Sequence, residues 1–169
     1  MTNFFKLLLL TLLLQSCNDT SEVSSIDPVN WNNRAVQIEF DSTFVHGSSY
    51  LSVYSQIYSQ SEHKTHDLTV TVSMRNINKT DTLYIHKAEY FNTKGHSTRT
   101  YFDKTIFIAP METVEIVIDE EDLEGGTGAN FIFDWSTKKS LNEPFFEAIM
   151  ISTSGQQGLS FTTHGKKII

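Results

Sequence analysis

The sequence predicts an all-β protein. The expected form is an antiparallel β-sandwich of about eight strands, immunoglobulin-like or jelly-roll-like, with a partly closed β-barrel as the alternative. Three observations predict it. Apolar residues recur with a period of two rather than 3.6. β-Branched and aromatic residues dominate the apolar runs, which suits a pleated surface. Clusters of turn-forming residues separate those runs at short intervals.

Taken in order, Val36, Ile38 and Phe40 alternate with polar residues and predict a first strand. Residues 50–58 (YLSVYSQIY) follow, with Leu51, Val53 and Ile57 on one face of a strand. The same residues fit a helical stripe, but Ser, Val and Tyr are indifferent helix formers, so the strand is favoured. Residues 68–74 (LTVTVSM) alternate apolar and hydroxyl side chains strictly, as in a sheet with one buried and one wet face. Further strands are expected at 82–91, 99–102, 145–152 and 159–163. In the run around Val114, Ile116 and Ile118 only Val117 breaks the alternation, and Phe131, Phe133 and Trp135 share one face of the next. Residues 78–81 (NKTD) and 93–95 (TKG) predict hairpin turns. Ala109-Pro110-Met111 and residues 154–158 (SGQQG) punctuate in the same way.

Domain organisation follows from the N-terminus. Residues 1–16 have the layout of a secretory signal: an n-region with Lys6, an apolar stretch over 7–14 broken by Thr11, and small Ser16 before Cys17. Leu14-Gln15-Ser16-Cys17 reads as a lipobox, with Cys17 as the lipidated residue. Gln15 is unusual there, and secretion with cleavage elsewhere is the alternative. The eight apolar-run residues fall far short of the ~20 that span a bilayer as a helix. Cys17 is the only cysteine in the chain, so no structural disulfide is possible within it. A lone thiol at the first mature position is explained by thioether-linked lipid, and stable anchoring generally takes two acyl chains.

Residues 17–33 read as the lipidated cysteine and a polar, flexible tether. Such a segment has an r.m.s. reach of roughly 20–25 Å. Trp31 is its one large aromatic and the candidate for docking onto the domain. Residues 34–169 form one domain of ordinary size. That length buries about two-thirds of its unfolded surface, so neither disulfide nor metal is needed for stability. Without residues 1–16 the chain has 12 basic and 20 acidic residues, a net charge of −8. That argues against nucleic-acid binding and leaves no basic patch for anionic lipid. The expected location is therefore the bacterial cell envelope, outside the cytoplasm, with the lipid on Cys17 as the membrane attachment.

Several runs together resemble one family. They are residues 53–58 (VYSQIY), 67–76 (DLTVTVSMRN), 101–104 (YFDK) and 125–131 (GGTGANF). Asp134-Trp135, residues 147–150 (EAIM) and 158–161 (GLSF) complete the set. Their order and spacing are similar to the bacterial family catalogued as domain of unknown function 3124, over about residues 52–168. The resemblance implies a secreted or lipid-anchored bacterial protein. The family has no assigned activity, so no catalytic residue is carried over. Asp67 belongs to the family pattern, whereas His63 and His66 do not.

Four groups of residues are candidates for chemistry. Gly125, Gly126, Gly128 and Asn130 lie in a glycine-rich loop, but no lysine follows and the chain continues as a strand. That differs from a phosphate loop, which opens a helix; the plain reading is a tight turn or bulge, and any ligand would meet backbone amides. Asp119, Glu121 and Asp122, with Glu120 and Glu124, form an acidic run that makes Asp119, Glu121 and Asp122 weak calcium candidates; the EF-hand spacing is missing. His63, His66 and Asp67 form HxxHD, too few ligands for zinc. His46, His86, His96 and His164 carry no spacing signal. Tyr50, Tyr54 and Tyr58 are expected on one face of a strand, where exposed tyrosines offer contact area for a protein or carbohydrate. No GxSxG elbow occurs. The reading that results is a non-enzymatic envelope lipoprotein, without cofactor, that binds an envelope protein or assembles into a homo-oligomer. The alternative is a small-molecule, carbohydrate or calcium-binding module.

Overall fold

The computed structural model describes residues 29–153 and 158–169. Among them are twelve strands, all paired antiparallel, and almost no helix. A single helical turn, α1 (Trp31–Arg34), precedes β1 (Phe44–Val53), β2 (Gln56–Ser59), β3 (Ser61–Asp67) and β4 (Thr69–Arg75). Next come β5 (Leu83–Phe91), β6 (Ser97–Phe102), β7 (Ile106–Ile108) and β8 (Thr113–Ile118). A 3-10 turn at Gly126–Gly128 leads into β9 (Ala129–Lys138), β10 (Phe145–Ser152), β11 (Leu159–His164) and β12 (Lys166–Lys167).

The strands form two main sheets. One has six strands in the order β12-β1-β9-β5-β6, with β7 also paired to β5; the other has the order β11-β10-β4-β8. β2 and β3 make a separate hairpin. No pairing closes the sheets into a barrel among the described residues, so the sandwich is the form adopted. The period-two positions read from the sequence are its inner faces: Leu68, Val70, Val72 and Met74, then Val114, Ile116 and Ile118, then Phe131, Phe133 and Trp135 are all buried in one core. Phe133 on β9 stacks on Phe146 on β10 with ring centroids 4.3 Å apart and planes within 4°, which joins the sheets at the centre.

Local departures from the sequence reading have physical causes. Residues 36–40 keep their alternating burial but form no strand. Val36 donates its N–H to the Thr105 carbonyl (2.9 Å), and Phe40 packs on the outer face of an existing sheet. The segment thus buries its apolar positions without joining the ladder. Residues 50–58 are not one strand. The chain breaks at Tyr54 and Ser55, where buried Ser55 bonds Tyr90 Oη (3.0 Å) and its carbonyl accepts from Leu68 N (2.9 Å). The turn at 78–81 is not a hairpin, because β4 and β5 belong to different sheets. The turn at 93–95 is one, closed by Gly95 at φ 76°. The turn at 154–157 and the signal, lipobox and Cys17 lie outside the described residues.

Trp31 does meet the domain, with its ring centroid 4.5 Å from that of Phe102. Arg34 bonds Glu112 at 2.7 Å, and Val29 packs against the core. At the other terminus, Gly165 lets the chain cross from β11 in one sheet to β12 in the other. A Cβ there would lie 2.8 Å from the Phe146 Cβ.

Candidate functional site

The three candidate tyrosines are distributed over three surfaces, because the break at Ser55 ends the strand that would have aligned them. Tyr50 lies on the outer face of the six-stranded sheet and is 36% exposed. Tyr54 is half-buried against Phe161 on β11, with centroids 5.8 Å apart. Tyr58 stands on the β2–β3 hairpin and is 61% exposed.

The glycine loop and the acidic run form one interlocked structural unit. The Thr93 side chain, from the β5–β6 turn, donates to the Gly125 carbonyl (3.0 Å) and accepts from Gly128 N (2.9 Å). Gly126 N donates to the Leu123 carbonyl (3.2 Å). Two of the amides that could have held an anion are thereby used internally. Asn130 sits on the outer face of β9 between Ser52 and Phe91. In the acidic run, Asp119 accepts from Glu121 N (2.9 Å) while Asp122, almost fully buried, accepts from Arg99 (2.8 Å). Burial alone would lower the Arg99 pKa, but its bonds to Asp122 and Tyr101 outweigh that and hold it above the ordinary value. Burial also pushes the Tyr90 phenol up to about 12. Asp119, Glu121 and Asp122 do not converge, and no cluster of three or more metal-ligating side chains occurs among the described residues.

Two of the four histidines without a spacing signal, His46 and His86, come together. Ser136 Oγ, fully buried, lies 2.5 Å from both His46 Nδ1 and His86 Nε2. His86 Nδ1 lies 3.0 Å from Thr105 Oγ1. Phe40 packs edge-on against both imidazoles. A β-bulge creates the arrangement: Ile85 pairs with Trp135 and Lys87 with Asp134, so His86 is the extra residue, re-aimed onto the face of Ser136. Burial, and secondarily the charge of His46, lower the His86 pKa. The sequence held one signal of this. The buried positions Leu83, Ile85, Ala88 and Tyr90 slip from a two-residue to a three-residue interval between Ile85 and Ala88. The cluster is a hydrogen-bonded seam beneath an aromatic cover, and its serine is closed to a substrate.

His63 is exposed on β3. His66 and Asp67 line a groove of about 390 Å³ together with Glu120 and Glu121, so part of the HxxHD motif and part of the acidic run do meet.

The surface best suited to contact is the β10–β11 side of the four-stranded sheet. Ile151 is 42% exposed and Leu159 39%. On the outer face, Val117, Thr71, Ile149 and Thr162 are consecutive partners across all four strands, a row with no charge. β11 itself is an edge strand, Leu-Ser-Phe-Thr-Thr-His, without lysine, arginine, carboxylate or proline. Its six pairs with β10 show no register shift. Edge strands normally carry charges, bulges or covers that prevent further pairing.

A family model described as "Protein of unknown function (DUF3124)" matches residues 46–168. No curated protein and no solved structure matches the chain.

Proposed function

The chain belongs to the DUF3124 family of proteins of unknown function, and from that premise we propose that it is a lipid-anchored protein of the bacterial envelope whose β-sandwich is a non-enzymatic interaction module. The lipid is held by Cys17, the only cysteine. The single observation that carries the interaction role is the open, uncharged β11 edge flanked by exposed Ile151 and Leu159. A strand of this kind offers backbone hydrogen bonds and apolar contact to an added strand. The glycine loop, Asp122 of the acidic run and the Ser136 seam are engaged in hydrogen bonds within the fold, which supports a binding rather than a catalytic role.

Two measurements test the proposal. Mass spectrometry of the chain from membranes should show it starting at Cys17 and carrying acyl chains, and Cys17→Ala should release it from the membrane fraction. An unmodified, membrane-free wild-type chain would contradict the anchor. Purification from solubilised membranes should yield the chain in a stoichiometric complex; a chain that is strictly monomeric and alone would contradict the interaction role.

A second reading, a small-ligand or calcium-binding module, is favoured by the groove between His66, Asp67, Glu120 and Glu121. Selective binding to the folded state raises its melting temperature. A shift with calcium that Glu121→Gln removes would support this reading, and no shift across a panel of metals and sugars would end it.

A further inference from the structure

We propose that the occupant of the β11 edge is a second copy of the same chain, paired antiparallel about a two-fold axis at Thr162. This deepens the interaction role and rests on it.

The outward backbone groups can be identified. Gly165 N donates to the Phe146 carbonyl (2.8 Å). This continues the register that sets His164 opposite Glu147. Hydrogen-bonded pairs alternate along an antiparallel ladder, so Thr163, Phe161 and Leu159 address β10. Ser160, Thr162 and His164 then aim their N–H and C=O groups out of the sheet.

Among the described residues, the other edges of the two main sheets are less suited to pairing. β12 has two residues, both lysine. β6 pairs irregularly, with register shifts at Ala88/Glu89 and Tyr90/Phe91. β7 is covered by the Ala35–Ile106 bridge. β8 carries Glu115 at mid-strand and runs into the acidic stretch at 119–124. β2, though uncharged, has four residues and a register shift at Tyr58/Ser59; among the described strands, only β11 combines length, regular register and freedom from formal charge.

The same strand is self-complementary. With Thr162 opposite its own copy, Ser160 faces His164 and Phe161 faces Thr163. The three outward pairs exchange about six backbone hydrogen bonds. Hydroxyl pairs across strands are favourable, and no like charges are opposed, which matters in a chain of net charge −7. The uncharged row Val117, Thr71, Ile149, Thr162 then continues into its symmetry mate and spans an eight-stranded sheet.

Disulfide trapping in the full chain tests the register. Hydrogen-bonded partners stand about 5.5 Å apart at Cα, inside the range of about 4.4–6.8 Å that a disulfide requires. Under mild oxidation Thr162→Cys should give a covalent dimer. Thr71→Cys should not, because its copies would be about 24 Å apart at ordinary strand spacing. Ser160→Cys should cross-link with His164→Cys when the two are mixed and not with itself, and the wild-type chain controls for Cys17. In sedimentation, the wild type should be a dimer and Thr162→Lys a monomer that keeps the wild-type circular-dichroism spectrum and a cooperative melt, its melting temperature, unlike that of the dimer, independent of concentration. A monomeric wild type, or equal trapping at Thr162 and Thr71, overturns self-pairing. If the wild type is monomeric yet Thr162→Lys removes another protein that co-purifies with it, the interaction role stands without self-pairing. If Thr162→Lys changes nothing, both fall.

Discussion

The Tyr90 hydroxyl stands 1.8 Å from the point a Cβ on Gly125 would occupy. Glycine at 125 is therefore a packing requirement of the Tyr90–Ser55 hydrogen bond, and the loop's glycines need no ligand to explain them. Gly126, at φ 70°, adds a conformation that other residues adopt at a cost. Gly125→Ala should destabilise the domain by roughly 1–3 kcal/mol, the usual cost of overpacking. Tyr90→Phe removes the obstructing oxygen, so the penalty should be at least about 0.5 kcal/mol smaller in that background. Urea unfolding of the four variants measures the coupling, and equal penalties in both backgrounds would contradict it.

Adjacent phenylalanines on β10 should behave oppositely. Phe146 faces inward, stacked on Phe133, and is 2% exposed, while Phe145 faces outward and is 37% exposed. Phe146→Ala should cost about 3–5 kcal/mol. Phe145→Ala should cost less than about 1 kcal/mol, as surface substitutions usually do. Thermal or urea unfolding decides between this alternation and a slipped register, which would exchange the two values.

The His86 seam should make stability depend on pH. Its pKa is lowered in the folded state by burial and by His46, with Asp134 opposing. The unfolded chain therefore binds more protons below about pH 6.5, the ordinary histidine value. Stability is held above that pH and is lost as pH falls through it toward the lowered folded value, then levels off. The melting temperature of the wild type should fall between pH 7.5 and 5.5 more steeply than that of His86→Gln. Parallel curves would contradict the assignment.

The fold was readable because one physical rule dominates it. In strands such as β4 and β9, burial on one face imposes a two-residue period, and Leu68 to Met74 and Phe131 to Trp135 display it directly. Strands that bury little, such as β3 (SEHKTHD), leave no such trace. Breaks are equally silent when they depend on distant partners. Ser55 interrupts the tyrosine face through Tyr90, which lies 35 residues away in sequence. The Ser136 seam needs a bulge on β5 and a cover from Phe40, and no spacing of histidines encodes either. Sheet edges are also invisible in sequence order. That β11 is an edge and β4 is not follows only from strand pairing, so the neutrality of residues 159–164 acquires meaning only in the fold.

Co-purification of two differently tagged full-length copies from solubilised membranes tests the interaction role most directly. We predict that one tagged copy brings down a protein in stoichiometric amount, the other copy foremost, and that Thr162→Lys on both copies abolishes it. A wild-type chain recovered alone and monomeric would contradict the account.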